Sequence, residues 1–318
     1  MDKSARIFVA GHRGMVGSAL VRRLQEDGYT DILTRTHTEL DLLDQKAVQR
    51  FFAAEHVDVV LLAAARVGGI LANATQPADF IYQNLAIETN VIHAAYQAGV
   101  TRLVFFGSSC IYPKNCPQPI EEEYLLSSPL EATNEPYAIA KIAGLKLCEA
   151  YNRQYGTKFV ALMPTNLYGP NDNYDLRSSH VLPALIRKAH EAKLHGDSVL
   201  TVWGTGTPRR EFLHVDDLAA ATEFVLDREV ADGLLNVGMG DDLSIREVAQ
   251  QVAETVGFDG EIVFDTSKPD GTPRKLLDVS RLARMGWRAS IGLHEGIEAT
   301  YRDFVTRFGA ATLSEGTV

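Results

Sequence analysis

Cysteine is scarce in this chain and long apolar runs are absent. Three thiols among 318 residues, Cys110, Cys116 and Cys148, are too few and too unpatterned for a disulfide framework or a zinc site. The uninterrupted run from Val59 to Ala65 has seven residues, enough for a buried strand and too few to span a bilayer. The opening MDKSAR leads into IFVAG, far too short an apolar stretch for a secretory signal. Basic residues are outnumbered, 31 against 41 acidic, and a net charge of −10 disfavours a general affinity for nucleic acid or anionic membranes. No repeat, low-complexity tract or heptad is present. The expectation is a protein of the reducing cytoplasm without nucleic-acid or membrane partners.

What is there reads as a soluble globular protein, 46% apolar and 23% charged. At roughly 100–200 residues per domain, the length favours two lobes. The first half alternates short β-rich runs with longer segments of helical period, a pattern that implies a doubly wound α/β fold with a parallel sheet covered on both faces. Candidate strands are Arg6–Ala10, Asp31–Arg35, Val57–Ala63, Arg102–Phe106 and Lys158–Met163. Candidate helices are Met15–Asp27, Gln45–Glu55, Pro77–Ala98 and Tyr137–Tyr155. After residue 170 the rhythm breaks at 169–173, 204–208 and 269–273, where Gly, Asn and Pro gather. The boundaries expected are a dinucleotide-binding Rossmann domain over 1–170 and mainly a smaller α/β substrate lobe over 171–318. Segments near 211–240, such as Glu211–Val215 and Leu234–Val237, are expected to return to the main sheet. The final ten or so residues, ending LSEGTV, read as a loose tail.

Residues 11–17 read GHRGMVG, a Gly-x-x-Gly-x-x-Gly loop made of Gly11, His12, Arg13, Gly14, Met15, Val16 and Gly17. Glycines suit a tight turn that lets a pyrophosphate approach the amides at a helix N-terminus, where the dipole favours negative charge. The alternative is a plain structural turn. An acid at the end of the second strand would bind a ribose 2′-hydroxyl, whereas cations suit a 2′-phosphate. Arg35, Thr36 and His37 stand there, with Arg13 in the loop, so NADP (NADPH) is expected, unless both arginines are only solvated surface cations.

Tyr137 and Lys141 lie at i and i+4 on one helix face, about 30 residues after Ser108 at a strand end. Hydride delivery to a carbonyl leaves an alkoxide that needs a proton, which Tyr137 can donate while Ser108 hydrogen-bonds the same oxygen. A cation at about 4 Å is worth about 4 kcal/mol at an intermediate dielectric, roughly three pKa units, and Lys141 is expected to lower the phenol by that route. The plain alternative makes Tyr137 a half-buried helix residue and Lys141 an exposed one. Cys110, in GSSCIYP, has its own plain reading, since cysteine is most often a small buried hydrophobe.

Together these motifs resemble the extended short-chain dehydrogenase/reductase superfamily, whose members mostly act on nucleotide sugars. The nearer resemblance is to the GDP-L-fucose synthase family, carried by AGHRGMVGSA, AARVGGI, PADFIYQN, GSSCIYP, ATNEPYAIAKIAG, MPTNLYGP, SHVLPAL, WGTGTPRREFLHVDD and KPDGTPRKLLDV across nearly the whole chain. The resemblance implies a homodimeric 3,5-epimerase and NADPH-dependent 4-reductase acting on GDP-4-keto-6-deoxy-D-mannose. It makes Cys110 and His180 the base and acid of epimerisation, and thiol and imidazole both titrate near enough to neutrality for proton exchange. Without that resemblance His180 reads as a structural hydrogen-bonder. By the same resemblance Arg35, His37, Asp41, Ala63, Ala64, Phe106, Gly107, Ser108, Lys141, Pro164, Thr165, Asn166, Leu167 and His180 join the glycine loop around the cofactor. Lys188, Trp203, Arg210 and Asp270 match the GDP-sugar contacts, and Cys116 and Cys148 match nothing catalytic. The family carries Arg more often than His at 37, and Arg is also seen at 188. The rivals are a 4,6-dehydratase or 4-epimerase of the same superfamily and a non-catalytic dinucleotide sensor; the dehydratase lacks its acid beside Ser108-Ser109-Cys110.

Overall fold

The computed structural model describes residues 1–228, 230, 233–268 and 270–309. The expected tail, from residue 310, lies outside them, as does Pro269. In chain order the strands are β1 Ile7–Ala10, β2 Ile32–Leu33, β3 Val59–Leu62, β4 Arg102–Phe106, β5 Lys158–Pro164, β6 Asn166–Tyr168, β7 Val199–Trp203, β8 Arg209–Arg210, β9 Phe212–His214, β10 Leu234–Val237, β11 Leu243–Ser244, β12 Glu261–Asp265 and β13 Arg274–Lys275. The helices are α1 Met15–Glu26, α2 Gln45–Glu55, α3 Ile70–Thr75, α4 Pro77–Gln97, α5 Glu135–Tyr155, α6 Val181–His195, α7 Val215–Asp227, α8 Ile245–Val256, α9 Ser280–Met285 and α10 Leu293–Phe308.

Six strands form one parallel sheet in the order β10-β5-β4-β3-β1-β2. Strands buried on both faces are apolar at every position, because helices cover both sides of a parallel sheet. In β1, Phe8 and Ala10 face the core beneath α2, α4 and α5, while Ile7 and Val9 face the core beneath α1 and α7. A third core, built from α6, α8, α10, β7 and β12, holds Leu185, Ile186, Val202, Val248, Val252 and Phe304. Local chemistry fixes several helix starts: Asp44 caps α2 by accepting from the Ala47 amide at 3.0 Å, and Ser244 and Glu247 form a reciprocal capping box on α8.

Several expectations change, among them the expected strand Val57–Ala63, which narrows to Val59–Leu62, and the helix expected from Tyr137, which begins at Glu135. The second strand shrinks from Asp31–Arg35 to Ile32–Leu33, since as an edge strand it pairs only with Ile7 and Phe8 of β1. Leu234–Val237 does join the main sheet, but the Glu211–Val215 segment does not. Its strand β9 pairs in parallel with β6 in a separate two-stranded sheet. The reason is competition for one edge: β10 occupies β5 from Ala161 to Pro164. The Thr165 hydroxyl and the Asn166 amide then donate to the Glu211 carbonyl at 3.2 and 2.8 Å, drawing the following strand alongside β6.

Candidate active site

The site gathers at the carboxyl ends of the parallel strands, beside the point where the order reverses between β1 and β3. Gly11 turns with φ +86°, and a Cβ there would lie 2.7 Å from the Ala64 nitrogen in the turn after β3. A Cβ on Gly17 would meet the Gly11 carbonyl at 2.2 Å, so helix and loop touch backbone to backbone. Gly14 differs, for its Cβ would clear every protein atom by 3.5 Å. As the N-cap of α1, with no side chain to cap and no acid in the first turn, it leaves the helix-end amides open to an anion. These features fit a dinucleotide pyrophosphate.

Arg13 is exposed in this loop and Arg35 lies half-buried beyond β2. Arg35 pairs with Glu55 at 2.5 Å. The Glu39 carboxyl sits below its ordinary value, first through hydrogen bonds from Thr36 and then, more weakly, through the charges of Arg35 and Arg13. His37 is largely exposed, 3.7 Å from Asp41, and Asp41 accepts from the Leu43 amide.

β4 delivers Phe106, Gly107 and Ser108. Gly107 packs closely on Met163, whose sulfur would lie 2.1 Å from a Cβ there and would have to move aside. Ser108 is extended and its Oγ accepts from the Cys110 amide at 3.4 Å, within a single helical turn over Ser109–Ile111. Cys110 is buried; burial pushes its thiol up, while Lys275, then Ser108 and Lys141, pull it down. Tyr137, in the first turn of α5, packs edge-on against Phe80 at 6.2 Å and has no hydrogen-bond partner for its hydroxyl among the described residues. Lys141 is 1% exposed, so the plain reading of an exposed lysine does not hold. Its ammonium lies 5.8 Å from the Tyr137 ring centre and 2.9 Å from Glu88 Oε1. The expected lowering of the phenol by Lys141 is not met: burial, then the charges of Cys110 and Glu88, hold Tyr137 well above its ordinary value.

His180 heads α6 and its side chain caps nothing. The glycines of AARVGGI bring up its loop, with the Gly69 amide donating to the Ser178 carbonyl at 2.8 Å and a Cβ on Gly69 only 3.0 Å from the Ser179 carbonyl. The residue is exposed to solvent, yet the protein packed around it, followed by the charge of Lys275, lowers the imidazole's pKa. Cys110 and His180 therefore both feel the charge of Lys275.

Farther out, Trp203 ends β7 with 63% of its surface exposed. The ammonium groups of Lys188 and Lys268 lie 5.2 and 5.5 Å from its ring centre. Asp270 accepts from the Thr205 amide and hydroxyl at 2.9 and 2.8 Å, and a Cβ on Gly271 would sit 2.8 Å from the Arg210 guanidinium. The structure thus brings Lys188, Trp203, Arg210 and Asp270 into one neighbourhood. Thr165 and Asn166 spend their side chains on the Glu211 carbonyl. Cys148 lies in the core and Cys116 packs against it.

Sequence reasoning missed Lys275, Glu88, Lys268 and Thr205. Glu88 had a signal: with Phe80, Asn84, Val91, Ile92 and Ala95 it occupies the buried stripe of α4, where a charge is out of place. Lys275 had none, for it is one of several cations in a loop-like stretch. Among the described residues no group of His, Cys, Asp and Glu could hold a metal, and no helix is long and apolar enough to cross a membrane.

The model of the NAD dependent epimerase/dehydratase family matches residues 7–238. GDP-L-fucose synthase 1 of Arabidopsis thaliana is 59% identical over 300 residues, 94% of this chain and 93% of that protein. GDP-L-fucose synthase of Escherichia coli is 57% identical, covering 94% and 96%. Among solved structures, GDP-mannoheptose C4 reductase from Campylobacter jejuni with NADP bound is 42% identical, with a TM-score of 0.89 over 96% of this chain and 99% of the other. Identity at this level over almost the full length puts the chain in the NAD dependent epimerase/dehydratase family, on its GDP-L-fucose synthase branch.

Proposed function

We propose that this protein converts GDP-4-keto-6-deoxy-D-mannose to GDP-L-fucose, inverting C3 and C5 before NADPH-dependent reduction at C4. The observation that carries the reading is that Cys110, in the turn that follows Ser108, and His180, at the head of α6, both lie within reach of the Lys275 charge, while Tyr137 lies within reach of the charge on Cys110. NADPH, when bound, supplies the hydride. The glycine-loop amides would hold its pyrophosphate, and Arg13 and Arg35 would receive the 2′-phosphate.

A ketone at C4 acidifies the protons on its two neighbouring carbons. Cys110 removes such a proton as thiolate and His180 returns one from the opposite face of the ring. Burial favours the neutral thiol and the neutral imidazole at rest. One proton therefore passes from Cys110 Sγ to the His180 ring before the base is competent. Tyr137, held protonated, donates to the C4 oxygen during reduction, and Ser108 hydrogen-bonds that oxygen. Lys188 and Arg210 hold the diphosphate and Trp203 walls the guanine. The third hydrophobic core supports reading 171–318 as mainly a substrate lobe. We also read the protein as a cytoplasmic homodimer, with Tyr82 of α4 and Ile139 of α5, both exposed, on the shared face.

The test is to incubate the keto sugar in D₂O without NADPH and follow exchange by NMR. Wild type takes up deuterium at C3 and C5, and Cys110→Ser loses most of it. Tyr137→Phe keeps exchange and fails to oxidise NADPH. Undiminished exchange in Cys110→Ser refutes the role of the thiol, and chromatography against GDP-L-fucose identifies the product.

A further inference from the structure

The short ladder between β8 and β13 sets cation opposite cation. The two strands run in parallel, with Arg274 beside Arg209 and Lys275 beside Arg210. Like charges directly across a ladder repel. Few backbone bonds resist that repulsion: the Arg209 amide donates to the Pro273 carbonyl at 2.8 Å and the Glu211 amide to the Lys275 carbonyl at 3.4 Å. Neighbouring residues of a strand point to opposite faces, so the four cations divide into an outer pair, Arg209 and Arg274, and an inner pair, Arg210 and Lys275. The inner face is the one turned to the site, since Lys275 feels the charge of Arg210 and acts on Cys110 and His180.

One carboxylate serves the outer pair. Asp242 stands at the entry to β11, which flanks β8 on the side away from β13, and is 3% exposed. Its Oδ1 accepts from Arg209 Nε at 2.7 Å and its Oδ2 from Arg274 Nε at 2.5 Å, while its carbonyl accepts from Arg209 Nη2. Glu247, half exposed, adds a looser contact to Arg209 at 3.6 Å. Among the described residues neither Arg210 nor Lys275 has a carboxylate in ion-pair contact, and Arg210 Nη1 donates only to the Arg209 carbonyl. The face turned from the site is neutralised and the face turned to it is left bare.

We propose that Asp242 is a positioning residue for substrate binding, which ties Arg209 and Arg274 together across the β8–β13 ladder and so holds Arg210 and Lys275 side by side for the diphosphate of the GDP-sugar. It rests on the placing of the diphosphate at Arg210 made above. Asp242 itself touches no substrate. Without its charge the outer guanidiniums repel and β13 loses its hold on β8, so that an arriving anion has to order both inner cations.

The experiment measures GDP and NADPH affinity by titration calorimetry for wild type, Asp242→Asn and Arg274→Met. Asn keeps the shape of Asp242 and loses the charge, and Met cuts the tie to β13. Both variants should bind GDP about tenfold more weakly, as for the loss of one charge-assisted hydrogen bond, with NADPH affinity within about twofold of wild type. A through-space effect has the other sign in Asp242→Asn, which makes the chain more positive and would tighten GDP. GDP affinity in Asp242→Asn equal to or tighter than wild type therefore overturns the proposal, and so does an equal loss of NADPH affinity, the mark of a chain loosened as a whole. Should Asp242→Asn not fold, Arg274→Met, a change at a half-exposed side chain, decides at about 0.5 M salt, where exposed charges are screened beyond a few ångströms. A weakening relative to wild type that persists there supports the clamp, and one that vanishes overturns it. If wild type binds no GDP, the functional reading fails and takes the clamp with it; if wild type binds GDP and the variants bind it equally well, the clamp alone fails.

Discussion

The Lys188 ammonium lies 5.2 Å from the centre of the Trp203 ring, and that ring keeps 63% of its surface open to solvent. An indole exposed to this extent contributes little to the core, and cations flank it where a nucleotide would stack. Replacing Trp203 by Ala should raise KM for the GDP-sugar roughly five- to hundredfold, since base–aromatic stacking is worth about 1–3 kcal/mol. KM for NADPH and the melting temperature should stay near wild type. Steady-state kinetics with each substrate varied in turn check this, and an equal rise in both KM values sinks the assignment.

Arg13 provides a cation that no carboxylate holds by a salt bridge among the described residues, whereas Arg35 is tied to Glu55. A charge-assisted hydrogen bond contributes about 1.5–3 kcal/mol. Arg13→Ala should therefore raise KM for NADPH at least about tenfold while leaving KM for NADH unchanged. A parallel loss with both cofactors would place Arg13 away from the 2′-phosphate.

Lys275 opposes the effect of burial on the Cys110 thiol and adds to it on the His180 imidazole. Removing its charge raises both pKa values, so the thiolate needs a higher pH to form and the imidazolium persists to a higher pH. Lys275→Met should move the whole pH profile of deuterium exchange upward by about one unit. An unmoved profile would reduce Lys275 to packing.

Glu211 is fully buried, accepts from the Gly240 and Leu277 amides at 2.7 and 3.0 Å, and is pushed up to about 7 by burial. Its folded-state pKa lies above the unfolded value, so protonation favours the folded chain. That stabilisation is complete below about pH 4.5 and about 3 kcal/mol of it is lost as pH rises through 7. Asp172, also pushed up to about 7, acts in the same direction, while His190 and His214, both lowered by burial, act in the opposite one. The comparison with Glu211→Gln isolates the one group. Between pH 5 and pH 8 wild type should lose about 3 kcal/mol more unfolding free energy than the variant, measured by urea titration.

Locally encoded features are legible in the order of the residues alone. The glycine loop between a fully apolar strand and a helix, the i and i+4 spacing of Tyr137 and Lys141, and Ser108 at a strand end all depend on residues a few positions apart. Their geometry follows from the periods of helix and strand. Composition likewise makes a disulfide or zinc framework unexpected, because three unpatterned cysteines can be counted from the sequence.

Relations between distant elements were decided only when the chain folded. Whether Glu211–Val215 joined the main sheet turned on which segment took the β5 edge, and β10 took it. Cys110, His180 and Lys275 come from three elements up to 165 residues apart, brought together by loop paths and the close approach of backbones at Gly69. Lys141 looked like a surface lysine until α4 supplied Glu88 and α5 left out a side chain at Gly144. Local periodicity sets which face a residue occupies; packing between elements sets what that face meets, and here it reversed the pull expected on Tyr137.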